Sequence, residues 1–246
     1  MEDNIQNEEV KESAKPKMRF GERVENFWYH YKWHSIVAVF VIIAVTVCTL
    51  QMCSKERFDN YILYAGGYGI SRNGADDVAE YSIILSSMKK VSRDVDENGE
   101  IVTSFLDLYA PTPSEMDASG SDLYNLTIEN FDRLKYELIS GSEYYVCLLS
   151  EYNYDEYKEW DGVRIFTPLA PYTKEGNEYE YYDECAIYLH STEFGELDGL
   201  KNLPDDTLIV LRSLSAVASA FGRDESQKNF EYGEELMRSI LAYKKQ

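Results

Sequence analysis

The pattern of apolar and polar positions divides the chain at residue 53. From Ser35 to Cys53 the sequence SIVAVFVIIAVTVCTLQMC runs for 19 residues with no charged side chain and no polar stripe. A helix of that length rises roughly 28 Å, close to a bilayer's hydrocarbon thickness, and this predicts a transmembrane helix over 35–53. Ahead of it, Phe20, Val24, Phe27 or Trp28 and Tyr31 recur at helical spacing, and Trp28, Tyr29, Tyr31 and Trp33 crowd the start of the run. Amphipathic rings gather at the headgroup level, so a short interfacial helix is expected to feed the span.

Beyond the span the pattern alternates between strand and helix. Tyr61 to Ala65 is an apolar run closed by Gly66-Gly67, a first strand and turn. Residues 75–92 set Val78, Tyr81, Ile84 or Leu85, Met88 and Val91 on one helical face, and Ile101 to Tyr109 reads as a second strand. Thr127 is expected to cap a helix with Ile128, Phe131, Leu134 and Leu138 inward, ending at Gly141. Three runs, Tyr145 to Leu149, Cys185 to Leu189 and Leu208 to Leu211, are continuously apolar, as strands buried on both faces are. A last helix from about Ser226 to Tyr243 turns Phe230, Gly233, Met237 and Ile240 inward. The expected fold is α/β, three-layered, with a mostly parallel sheet.

Charge gives the segments a direction. Lys15 to His34 holds five basic residues against two acids, so the positive-inside bias keeps the N-terminus in the cytoplasm. A cleaved signal peptide would need a charged leader of 34 residues, and no A-x-A-like site ends the run. Leu50-Gln51-Met52 lacks the small residues that precede a lipidated cysteine, so Cys53 is not expected to carry lipid. The resulting division is 1–34 cytoplasmic tail and interfacial helix, 35–53 span, 54–59 linker, and 60–246 extracytoplasmic domain, with residues 1 to about 15 expected to be disordered. Of the net charge of −20, −19 follows Cys53. That balance excludes a broad nucleic-acid-binding face, which needs clustered Lys and Arg.

Signatures of catalysis are sparse. The sequence holds no G-x-S-x-G elbow, H-E-x-x-H, P-loop or Gly-rich dinucleotide fingerprint, and His190 is the one histidine after the span. A lone strand histidine is expected to be packed and hydrogen-bonded, and no cofactor, metal or catalytic residue is assigned. Asp94-x-Asp96-x-Asn98-Gly99 matches the first half of a calcium loop, but the twelfth position is Phe105 where a bidentate Glu is needed. A solvated turn is therefore favoured over calcium. Cys147 and Cys185 fall in two core strands, where a disulfide is possible and two buried thiols are favoured.

The order strand, helix, polar turn, strand, helix, then Leu138-Ile139-Ser140-Gly141 leading into Tyr144 to Leu149, resembles the first lobe of a type 2 periplasmic-binding-protein fold. Phe166-Thr167-Pro168-Leu169-Ala170-Pro171-Tyr172 is similar to a segment that follows there, and Tyr29-His30-Tyr31-Lys32-Trp33-His34 is similar to the juxtamembrane stretch of a group of single-span bacterial membrane proteins. The resemblance covers about residues 20 to 245 and implies a solute-binding-like module. With 187 residues after Asp59, the chain is shorter than most two-lobed solute receptors.

Nineteen of the 21 tyrosines follow the span, clustered with acids in Glu151 to Tyr157 and Glu178 to Glu184. Such surfaces suit cationic or sugar-like ligands through stacking and cation–π contact, while soluble amphipathic cover is the plainer and favoured reading. Open α/β sheets bind ligands at strand carboxyl ends, so Tyr68, Tyr109 and Tyr152, which follow or end the first three strands, are the expected ligand contacts. A small-molecule or peptide ligand is the first expectation. Docking onto an envelope or transporter subunit, as a structural component, is the alternative.

Overall fold

The structure is a computed structural model that describes residues 20–53, 58–70, 75–95, 97–119, 124–174, 176, 178–214 and 223–245. The expected N-terminal tail, most of the linker and Asp96 lie outside the described residues. The chain separates into two compact units, Met1–Glu56 and Arg57–Gln246.

Among the described residues the first unit is one helix, α1 (Phe20–Cys53). The interfacial segment and the apolar run are continuous, because between Gly21 and Cys53 there is no Gly or Pro to break the backbone ladder. Its Tyr31–Thr49 stretch is long and apolar enough to cross a membrane, and none of that stretch is buried by protein. Thr46 and Thr49 return their hydroxyls to the carbonyls of Ile42 and Val45 at 2.7 Å, the arrangement that satisfies a hydroxyl within an apolar helix.

The second unit is a six-stranded sheet with helices on both faces. In chain order its elements are β1 (Asn60–Gly66), α2 (Ala75–Met88), β2 (Thr103–Tyr109), α3 (Pro113–Ser119), α4 (Tyr124–Ile139), β3 (Val146–Ser150), α5 (Glu151–Tyr157), β4 (Glu159–Trp160), β5 (Val163–Arg164), β6 (Tyr181–Asp183), β7 (Ala186–Tyr188), β8 (Thr207–Leu211) and α6 (Arg223–Ala242). The sheet order is β2-β1-β3-β8-β7-β6, and β4 and β5 form a separate hairpin. Pairing is parallel across β2-β1-β3 and antiparallel from β3 through β8 and β7 to β6. Four strands, β1, β2, β3 and β7, thus run one way. β7 and β8 are continuously apolar because both sheet faces are covered, whatever the sense of their pairing.

Alternation along each strand sorts the core into two layers. Ile62, Tyr64, Val146, Leu148, Ile187, Ile209 and Leu211 face Ile84 and Met88 of α2 and Leu236, Met237 and Ile240 of α6. Leu63, Ala65, Cys147, Leu149, Leu208 and Val210 face Leu134 and Leu138 of α4 and Tyr154 and Tyr157 of α5. Each fully buried aliphatic side chain contributes about 1.5–3 kcal/mol, so the two layers carry most of the stability. Gly233 lets α6 approach closely, since a Cβ there would lie 2.7 Å from that of Tyr145.

α4 departs from its expected phase. It begins at Tyr124, so Thr127 lies inside the helix rather than capping it. Thr127 is buried while Ile128 is exposed, which rotates the inward stripe onto Thr127, Leu134 and Leu138. At the other end of α4 a buried arginine completes the helix. Arg212, wholly buried, donates to the carbonyls of Tyr144, Leu138 and Gly141 and lies over the Tyr145 ring at 4.3 Å. It supplies donors and positive charge where a helix C-terminus offers unpaired carbonyls.

The β2 edge of the sheet is partly capped by side chains. Val102 and Ala110 bond toward β1, so Thr103, Phe105, Asp107 and Tyr109 direct their backbone groups outward. Two of those outward carbonyls are already occupied: Tyr81 Oη donates to Phe105 O at 3.0 Å and Asn130 Nδ2 to Tyr109 O at 3.1 Å.

Candidate functional site

The carboxyl ends of β1, β2 and β3 lie side by side, as the parallel register requires. The crevice between them is filled by Asn153, on the first turns of α5. Its Nδ2 donates to Ala110 O at 2.8 Å, to Ala65 O at 3.4 Å and to Ser150 Oγ at 2.9 Å, tying the three strand ends together. Ser150 caps α5 by accepting from Asn153 N. Asn153 is wholly buried, and Asn153 Oδ1 has no hydrogen-bond partner among the described residues.

The three expected ligand tyrosines share this edge of the sheet and then part. Tyr68, two residues past β1, packs against the α2 and α6 layer, and its hydroxyl donates to both carboxylate oxygens of Glu80 at 3.0 and 2.9 Å. Tyr109, the last residue of β2, is half-buried, with its carbonyl held by Asn130. Tyr152 lies in the first turn of α5, which packs on the opposite layer.

Tyr68 opens onto a groove of about 610 Å³, lined by Tyr68, Glu80, Ile83, Asp198, Gly199, Lys201 and Asn202. Neither Tyr109 nor Tyr152 lines it. Glu80 accepts a further bond from Asn202 Nδ2 at 3.0 Å, while Lys201 is engaged by Asp198 at 2.8 Å. Both donors to Glu80 are neutral, so they orient the carboxylate without cancelling its charge. Beside them sit an aromatic ring and the exposed apolar Ile83. Such a surface suits an ammonium or guanidinium group carried on an apolar stem. Glu80 and Asn202 are 122 residues apart, and no spacing rule in the sequence pairs them.

Phenol–carboxylate pairing recurs through the domain. Tyr154 donates to Asp183, Tyr172 to Glu234, Tyr182 to Asp155 and Tyr188 to Glu151. The acid–tyrosine stretch 151–157 is therefore a helix with Tyr154 and Tyr157 in the core rather than a ligand loop. Burial raises the carboxyl of Asp206, and Glu151, Glu115 and Asp205 raise it further. That places an acidic rim on the carboxyl side of the parallel strands.

The remaining candidates have structural occupations. Asp94 caps its own turn, accepting from Asn98 N at 3.2 Å and Gly99 N at 2.7 Å, while Asn98 Oδ1 accepts from Glu100 N. Among the described residues no group of three or more His, Cys, Asp or Glu is placed to hold a metal ion. His190 lies in a 3-10 turn after β7 rather than in a strand, with Nδ1 3.0 Å from Asp205 O and Nε2 3.2 Å from Glu180. Cys147 and Cys185 are free and buried. Val210 of β8 lies between Cys147 and Ala186, so the two cysteines sit about two strand spacings, roughly 10 Å, apart, beyond the reach of a disulfide. Burial pushes the Cys147 thiol up to about 12.

One exposed feature was legible and not read: Trp160-Asp161-Gly162-Val163, an Asp-Gly pair between β-formers, is a hairpin signal. Asp161 and Gly162 both adopt positive φ, 50° and 74°, and carry β4 into β5. Trp160 and Val163 pair across the turn and are exposed, and Lys135 of α4 sits over the Trp160 ring at 4.4 Å. No family model, curated protein or solved structure matches the chain.

Proposed function

We propose that the chain is a single-span integral membrane protein, N-terminus in the cytoplasm, whose α/β domain works outside the cell membrane as a binding module for a small cationic ligand or basic peptide. The groove beside Tyr68 carries this reading, because it holds an oriented carboxylate with neutral partners, an aromatic ring and an apolar wall in a volume of ligand size. The excess of basic residues before α1 and the acidic domain after it support the orientation. The parallel β2-β1-β3 arrangement, with its strand ends at one edge, is consistent with a lobe of the type 2 periplasmic-binding-protein kind.

The test is thermal unfolding of the full chain in detergent against polyamines, basic peptides and neutral sugars. A stabilising shift is expected with the cationic compounds, and Glu80→Gln should weaken it at least about tenfold, as loss of a charged hydrogen bond does. The same absence of response to all three classes in wild type and Glu80→Gln would sink the proposal.

A second reading, docking onto another envelope or transporter subunit, is favoured by the exposed row Tyr124, Ile128 and Tyr136 on α4. It predicts that crosslinkers placed on that row recover a partner chain.

A further inference from the structure

We propose that a pocket at the amino end of β1 binds a small organic carboxylate, with the charged group held between Arg93 and Arg238. The site lies wholly within the α/β domain and depends neither on the groove beside Tyr68 nor on the membrane reading.

The pocket, of about 280 Å³, has two walls. The connection from α2 to β2 brings Val91, Arg93 and Val95, and α6 brings Tyr232, Leu236 and Arg238. Asn60, the first residue of β1, also lines it and ties the connection down, its Nδ2 donating to Arg93 O at 3.4 Å. The carboxylate of the adjacent Asp59 accepts from Val95 N and Val102 N, both at 2.8 Å, and does not line the pocket. Tyr68 lies past the other end of β1, a strand of seven residues or roughly 20 Å away, so the two sites are separate.

Two guanidinium groups on one pocket stand out in a domain where acids outnumber bases two to one. Neither serves the last turn of a helix, where a base would offset the dipole: Arg93 follows α2, and the last turn of α6 holds no basic residue. Arg238 lies over the Tyr172 ring at 4.9 Å, and Glu234 holds that ring through its hydroxyl, so the guanidinium plane is oriented by an aromatic face. Among the described residues Arg238 forms no ion pair, which leaves its N–H fork to an incoming anion. Arg93 meets Glu235 at 3.3 Å with the two side chains 74% and 56% exposed. An exposed pair of this kind contributes little and exchanges readily, so Glu235 holds the place that a ligand carboxylate takes. Arg93 and Arg238 against Glu235 leave one positive charge on the lining, which a monoanion neutralises. The half-buried Tyr232 adds a phenol donor, while Val91 and Leu236, both buried, give an apolar floor for the body of the molecule. The volume lies at the lower end of the range for small-molecule sites.

The experiment titrates acetate, butyrate and benzoate into the full chain in an uncharged detergent and follows the melting temperature, with benzyl alcohol and sodium chloride at matched ionic strength as controls. Stabilisation by benzoate and butyrate beyond both controls is expected. Arg93→Gln and Arg238→Gln, both at exposed positions, should each weaken the apparent affinity at least about tenfold, as loss of a charged hydrogen bond does. Glu235→Gln should strengthen it, because it frees Arg93. Arg164→Gln, which removes an exposed arginine paired with Glu184, should leave it unchanged. No stabilisation beyond the controls by any of the three carboxylates overturns the proposal. An equal loss in Arg164→Gln and Arg238→Gln shows a response to net charge alone and overturns it too, as does weakening in Glu235→Gln. None of these variants alters the groove beside Tyr68, so failure here leaves the reading of that groove standing.

Discussion

Arg212 is the residue on which the α4–β3 junction depends. Its guanidinium is buried, and burial lowers its affinity for a proton, yet three carbonyls and the Tyr145 ring surround it. Removing the side chain leaves those carbonyls without donors in a dry site. Arg212→Ala should therefore cost about 3–5 kcal/mol, read as a fall in the urea midpoint of the full chain. Arg212→Lys, which keeps charge but loses the planar fork, should recover only part of it. A midpoint unchanged in Arg212→Ala would mean that α4 ends independently of β8. None of this is visible in the sequence, where Arg212 is one basic residue after an apolar run.

At the scale of elements, α5 depends on a single buried hydroxyl. Ser150 accepts from Asn153 N at 3.3 Å and from Asn153 Nδ2 at 2.9 Å. Ser150→Ala should lower the melting temperature by about 2–4 °C, corresponding to about 1 kcal/mol of cap energy, and an unchanged temperature would show that packing of Tyr154 and Tyr157 alone suffices. The central strands were legible as short, continuously apolar runs, and α2 and α6 because their apolar positions follow a period of 3.6. α5 was not, because its inward residues are tyrosines three apart among acids, which read as surface. β6, three residues long, is too short for a period to show. α4 was legible in existence and misread in phase, because a buried threonine took the place that hydropathy assigns to Ile128. Of the candidate site, Tyr68 was legible as a residue just past a strand, whereas Glu80 and Asn202 meet only through the fold.

Across the whole molecule, 37 acids outnumber 18 bases after Cys53, and phenols take the part that missing bases would play. Their hydroxyls donate to carboxylates while neutral, so the pairing raises their proton affinity. Hydrogen bonds to Asp155 and Glu151 push Tyr182 and Tyr188 up to about 12, and burial followed by Glu234 does the same for Tyr172. A raised phenol contributes stability that is full below its unfolded value near 10 and is lost as pH rises through about 12. Phenolate absorbance and loss of helical circular dichroism should therefore rise together above about pH 10, and phenols titrating near their ordinary value with the fold intact would contradict this. The partly capped edge of β2 bears on the same crowding of charge and surface. Tyr81 and Asn130 occupy backbone acceptors that a neighbouring strand would need. A second copy approaching this edge meets two carbonyls already taken, so the ladder it is offered is interrupted rather than continuous, and edge-to-edge templating loses its register.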